Sequence, residues 1–185
     1  MTFDVRELFR SVGAELTAAG LVQAGTGTLS IWTPEAVIIT AEGARLNGLT
    51  EADLCSIARS TVPPARHPAL DAPIHRAIYV ATGARAVVHA HPPHTVALSF
   101  DRTTLMPPDL EGTHLLGRVP VVHARRNVIE AVASALTDSP IVVVAGHGTY
   151  ARGNDLWECL RWTAVLESSA RILWLRHALP APPAP

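Results

Sequence analysis

Ala84-Arg85-Ala86-Val87-Val88-His89-Ala90-His91-Pro92-Pro93-His94 reads as a buried strand that ends in histidines and is stopped by two prolines. Side chains on a strand alternate faces with a period of two, so His89 and His91 project to the same side. Two closely spaced imidazoles on one rigid face are a start on a metal site. A second apolar run, Ile141-Val142-Val143-Val144-Ala145-Gly146-His147-Gly148, delivers another histidine between two glycines, where backbones can approach closely. The expectation is that the two strand ends meet and that His89, His91 and His147 hold a divalent metal. Structural or surface histidines would give the same pattern, because histidine is intermediate in burial.

The rest of the chain sets bounds on this reading. At 185 residues it fits one domain, with residues 1–178 as the folded unit and the Pro/Ala-rich 179–185 as a disordered tail. An apolar share of 48% and a formal net charge of −1 describe an ordinary soluble globule. No basic patch or RNA-binding motif points to nucleic acid, and no run reaches transmembrane length. The first residues lack a charged segment followed by an apolar one, and Cys55 and Cys159 are too few for a disulfide framework, so a cytoplasmic location is expected. All 15 basic residues are arginine. Without lysine, Schiff-base chemistry and a P-loop are excluded, so work on a carbonyl compound would need a metal or an acid/base pair.

Periodicity predicts the elements. Val5, Leu8, Phe9, Val12 and Leu16 have helical spacing over Asp4 to Ala19, with Gly20 as the stop. A glycine loop at Gly25 to Thr28 leads into a hairpin, Leu29–Trp32 and Ala36–Thr40. Thr50-Glu51-Ala52-Asp53 resembles a capping box and predicts a short helix through Ala58, followed by a proline-rich loop from Val62 to Pro68. A helix starts near Asp71, with Pro73 in its first turn and His75 one turn on, where an i, i+4 pair interacts. His75 is expected in the core or supporting the ligands, and His94 as a helix-capping residue, with support of the ligands as the alternative.

Thr95 to Phe100 is expected to be helical. Phe100 to Arg118 reads as a long connection of the kind that carries function. A strand (Val119–His123), a helix (Val128–Leu136), the His147 strand and a final helix then follow. That helix is capped by Asn154, with Leu156, Leu160, Ala164, Leu166 and Ile172 inward. The mixture predicts an α/β fold, with a largely antiparallel sheet.

Three neutral imidazoles leave a metal its charge and open positions for substrate. Such an ion polarises a carbonyl and stabilises the enediolate formed when a proton or carbon fragment departs from the adjacent carbon. Zinc suits imidazole; manganese, cobalt and nickel are compatible with the ligand type.

On these residues the chain resembles the class II aldolase/adducin family, which includes fuculose-1-phosphate aldolase and ribulose-5-phosphate 4-epimerase. The likeness runs from about Leu8 to Leu173 and is carried by Val87 to His94, by Val144 to Gly148 and by Arg45 to Leu54. It implies a three-layer α/β/α fold, zinc on His89, His91 and His147, and a homotetramer with sites at subunit interfaces. It also makes Asp71 the acid/base residue, or a ligand as in the epimerases. The family's phosphate pocket uses Gly-Asn before a serine, Thr-Gly, and Ser-Ser. Here the matching places hold Gly27-Thr28 with Ser30, Glu42-Gly43 and Ala69-Leu70. Gly27, Thr28 and Gly43 remain candidate substrate contacts, but Glu42 puts a negative charge where a phosphate would sit, so the substrate either lacks a phosphate or has it held elsewhere, for instance by a neighbouring subunit's arginine. Glu111 and His114 are candidates to close over the site as a lid. Tyr150 reads as a packed tyrosine with a proton-donor role as the alternative.

The resemblance implies a metal-dependent lyase acting on a small hydroxy-carbonyl compound through aldol cleavage or formation. Epimerisation and decarboxylation of a non-phosphorylated substrate, which use the same metal-bound carbonyl as electron sink, are the alternatives. A non-catalytic adducin-like binding domain is the rival of another class, and a hydrolase is set aside because no Gly-x-Ser-x-Gly elbow is present.

Overall fold

A computed structural model of the chain describes residues 4–58, 66–123 and 127–179. The expected tail beyond residue 179, and the part of the proline-rich loop at 62–65, lie outside the described residues.

Helix α1 (Val5–Ala18) is capped by the Asp4 carboxylate, buries Phe9, Val12 and Leu16, and gives way to Gly20 at φ 69°. Strands β1 (Thr28–Trp32) and β2 (Ala36–Thr40) form the expected hairpin. The capping box forms, with Asp53 Oδ2 accepting from the Thr50 N–H at 2.9 Å and from its Oγ1 at 2.7 Å. The helix does not follow. Only one 3-10 turn (Glu51–Asp53) is made before the chain extends as β3 (Leu54–Ala58), antiparallel to β2. Pairing with β2 satisfies the backbone groups on one side of this edge strand and turns Cys55 into the core, which outweighs the local cap.

Helix α2 (Ala72–Thr82) ends on Gly83 in the left-handed conformation and feeds β4 (Ala86–Ala90), which is buried on both faces. Helix α3 (Pro93–Ser99) follows at once. The expected long connection is in fact structured: β5 (Thr104–Leu105) and α4 (Leu110–Leu115), the latter capped by Asp109, lie within it. After β6 (Val119–Val122) and α5 (Val128–Ala135), β7 (Ile141–Val144) and β8 (Gly148–Gly153) form a second tight hairpin. The His147 strand is thus shorter than expected, and His147 stands in the turn between its two arms. Helix α6 (Leu156–Ala178) is capped by Asp155 rather than Asn154, and Ile172 is 37% exposed rather than inward.

The eight strands run β3-β2-β1-β4-β8-β7-β6-β5, antiparallel throughout except for β6 against β7. The alternation of β4 and β7 splits the core. Ala86, Val88, Ile141 and Val143 pack with α1 and α6 residues such as Phe9, Leu16 and Leu160, whereas Val87, Val142 and Val144 pack with Ile78, Tyr79, Val132 and Leu136 of α2 and α5 or its end. Helices therefore cover both faces of a mainly antiparallel sheet, as the sequence predicts. Doubly buried central strands explain the near-continuous Val/Ile/Ala runs.

Candidate metal centre and active site

The ends of β4 and β7 do meet. The sheet pairs β4 with β8, setting His89 opposite Tyr150, and the Ala145–His147 turn returns His147 to the same edge. Ligand-capable atoms of His89, His91 and His147 lie within 4.8 Å of one another. Ring centroids are 4.5 Å (His89–His91), 4.9 Å (His89–His147) and 5.2 Å (His91–His147) apart.

Two glycines make this approach feasible. Gly146 sits at φ 68°, and its N–H donates to Ser99 Oγ at 2.9 Å, which ties the turn to α3. At Gly148 a Cβ would collide with the Ala90 carbonyl oxygen and come within 2.9 Å of His91 Cδ2 and 3.1 Å of His89 Cε1.

The donor set suits a cation. His89 Nδ1 lies 2.9 Å from the Thr149 carbonyl oxygen, so it carries the proton there and leaves Nε2 with a free lone pair. Burial pushes His89 down to about 3, against the pull of the Asp71 carboxylate, and burial together with His147 lowers His91. Both are therefore neutral imidazoles at neutral pH, the form that binds metal. His91 Nδ1 is buried without a hydrogen-bond partner, a cost that a bound cation and its waters would relieve.

Asp71 takes the N-cap position of α2, yet its side chain does not cap the helix. Its Oδ1 accepts from Thr28 Oγ1 at 2.9 Å, and its Oδ2 lies 3.3 Å from His75 Nε2. Burial works to raise this carboxyl, but His75, His89 and the Thr28 hydroxyl outweigh it and hold it well below the usual carboxylate range. His75 is fully buried, and its Nδ1 contacts Ser30 Oγ at 2.7 Å, which also contacts the Tyr79 hydroxyl at 2.7 Å. If Tyr79 donates to Ser30 and Ser30 to Nδ1, the His75 Nε2–H faces Asp71, the tautomer that suits an ionised carboxylate. Tyr150 stacks on His89 with centroids 4.2 Å apart, and burial together with the Asp71 charge keeps its phenol protonated.

These groups open on a cavity of about 370 Å³ that the three histidines, Asp71 and Tyr150 share with Gly27, Thr28 and Gly43. Glu42, Ala69 and Leu70 line it too. Glu111 and His114 do not: both are exposed on α4, which packs on α6. Nor does His94 line it; its N–H and Nδ1 meet Glu167 Oε1 at 3.0 and 2.7 Å. Glu167 is the supporting residue that sequence reasoning missed. From α6 it also accepts from Thr95 N–H and Oγ1, both at 2.9 Å, and so caps the helix that starts just after His91.

The family described as Class II Aldolase and Adducin N-terminal domain matches residues 7–174, and this chain belongs to it. L-fuculose-1-phosphate aldolase from Thermus thermophilus superposes with a TM-score of 0.87 at 36% identity, over 96% of this chain and 98% of that one. Methylthioribulose-1-phosphate dehydratase from Acidiphilium cryptum is 30% identical over 88% of this chain and 85% of its own length. A probable bifunctional methylthioribose-1-phosphate isomerase/methylthioribulose-1-phosphate dehydratase from Nocardia farcinica is 40% identical over 46% of this chain, which spans only 16% of that protein. Fold and family are those of class II aldolase-like enzymes. Among the described residues no helix is long and apolar enough to cross a membrane.

Proposed function

We propose that this chain is a metal-dependent lyase that cleaves or forms a C–C bond beside the carbonyl of a small hydroxy-carbonyl compound. The observation that carries the proposal is the convergence of three histidines and one carboxylate on a single cavity. His89, His91 and His147 would hold the ion, with zinc the first choice for an all-imidazole set. A divalent ion bound there polarises a carbonyl oxygen and offsets the negative charge that develops on it as an adjacent bond breaks.

The chain's own groups supply the rest. Asp71, kept ionised and oriented by Thr28 and His75, accepts or returns the proton. Tyr150, held as a phenol, offers a hydrogen-bond donor on the same wall. Gly27, Thr28 and Gly43 are assigned to substrate contact. Glu111 and His114 receive no role within a single chain. The homotetramer that the family likeness implies, and a cytoplasmic location, are part of the proposal; sedimentation equilibrium checks the first.

The Acidiphilium relative's name favours a second reading, loss of water across the two carbons beyond a carbonyl, the proton leaving the nearer carbon and hydroxide the farther. Retro-aldol cleavage starts instead from the proton of the hydroxyl on that farther carbon, and gives two carbon products where dehydration gives one and water.

The test starts with metal content by inductively coupled plasma mass spectrometry on the protein and on His91→Ala. About one transition metal per chain, lost in the variant, is expected. Product mass from candidate hydroxy-carbonyl substrates then separates cleavage from dehydration. A protein that stays metal-free after incubation with zinc, manganese and cobalt would overturn the lyase reading in favour of a binding domain.

A further inference from the structure

We propose that the cavity wall built by the Gly25–Gly27 loop, Glu42, Gly43 and Leu70 receives an uncharged, hydroxyl-bearing end of the substrate rather than a phosphate monoester. This rests on the metal-dependent reading above and specifies the substrate class of the same site.

The first observation is a contact the sequence alone does not reveal. Glu42 Oε2 accepts the Leu70 N–H at 2.8 Å. Leu70 lies one residue ahead of the Asp71 N-cap of α2, and its N–H is a backbone donor on the cavity wall that an anion could use. The chain's own carboxylate has taken this one. An arriving phosphate would have to displace Glu42 or lie beside it.

The second observation is the balance of charge. Among the described residues the cavity is lined by two carboxylates, Glu42 and Asp71, and by no arginine. Arg66, the guanidinium that touches this wall, pairs with Asp53, donates to the Glu42 carbonyl at 3.3 Å and does not line the cavity. The Ala69 and Leu70 side chains bring no hydrogen-bond donor. The metal's positive charge is matched by Asp71 and Glu42 before any substrate enters. A phosphate dianion beside Glu42 therefore meets like charge without a compensating cation from the described residues, and like-charge juxtaposition is costly.

The wall suits a hydroxyl instead. Glu42 Oε1 has no partner among the described residues and is an acceptor, so a substrate hydroxyl can donate to it.

Paired probes test this without turnover. Glycolohydroxamate chelates a metal through its two oxygens and ends in a hydroxyl; its phosphate monoester ends in a dianion. Both are titrated calorimetrically into the zinc-loaded full chain, into Glu42→Gln and into Glu42→Ser. Glu42 is exposed, so both variants are expected to fold, which thermal melts check. Expected is binding of the hydroxyl probe about tenfold or more tighter to the unmodified protein, with the preference falling to about threefold or less in both variants. Equal or tighter binding of the phosphorylated probe by the unmodified protein overturns the proposal and leaves the metal-dependent reading standing, with the phosphate seated by a neighbouring copy. A preference that the Glu42 variants leave unchanged also overturns it. Failure of both probes to bind overturns the metal-dependent reading and the proposal together.

Discussion

Gly148→Ala separates steric assembly of the histidine cluster from general fold stability. The residue pairs with Val144 at the start of β8, and a Cβ there would run into the Ala90 carbonyl oxygen, His91 Cδ2 at 2.9 Å and His89 Cε1 at 3.1 Å. The carbonyl belongs to a doubly buried strand and cannot swing aside, so β4 and the Ala145–Gly148 turn must part. Overpacking of this kind costs about 1–3 kcal/mol. For a chain of this size that is roughly 2–12 °C in Tm. The displaced neighbours are the histidines themselves, so zinc affinity should fall by about 10- to 100-fold, as it does when groups that orient ligands are disturbed. The control is Gly20→Ala, whose glycine has φ 69° and nothing within 4 Å of a Cβ. It should lose about 1–2 kcal/mol from the left-handed backbone and keep its zinc affinity. Calorimetric melting and chelator competition read both quantities. A Gly148→Ala protein that melts within about 1 °C of the unmodified chain and binds zinc equally would refute the claim that this glycine is required by the histidines.

Asp71→Asn should retain about one metal per chain yet lose about 10²- to 10⁴-fold in kcat/KM, because it removes the proton acceptor and leaves the imidazoles in place; equal loss of metal would make Asp71 a ligand instead. Glu167→Ala leaves the His94 and Thr95 N–H groups and the Thr95 hydroxyl without their acceptor, and should cost about 3 kcal/mol, roughly 6–12 °C in Tm by calorimetry. His89 has a folded value of about 3 against an ordinary 6.5, so between these limits the unfolded chain binds more protons than the folded one. Stability of the chelator-treated protein should therefore fall as pH is lowered through that window, by at most about 1.4 kcal/mol per pH unit from this residue, and His89→Gln should flatten the slope in urea titrations.

What could be read from the sequence was what acts locally. His89 and His91 share a strand's period, and His147 sits between glycines, so their common edge followed once the two apolar runs were taken as neighbours. β3 was misread because five residues, Leu54 to Ala58, fit either period and a true capping box stood in front of them. Only the long-range pairing with β2 decides the matter. β8 was missed because Gly148 to Gly153 is bounded by glycines and carries a charge, a poor strand by propensity that is held by partners on both sides. Glu167 gave one overlooked sign: an acidic residue on the inner face of a helix, at a position that spacing reserves for apolar side chains. Its partners lie 72 and 73 residues away, so its role is not legible from α6 alone. Glu42 differs again. Its sign was plain as a residue type out of place in a phosphate pocket, but its contact with the Leu70 N–H is a tertiary fact. That contact turns a missing donor into an occupied one. On the proposed substrate class, a site that had merely lost its phosphate donors would still accept an anion weakly, whereas one whose own carboxylate occupies the Leu70 N–H would disfavour it.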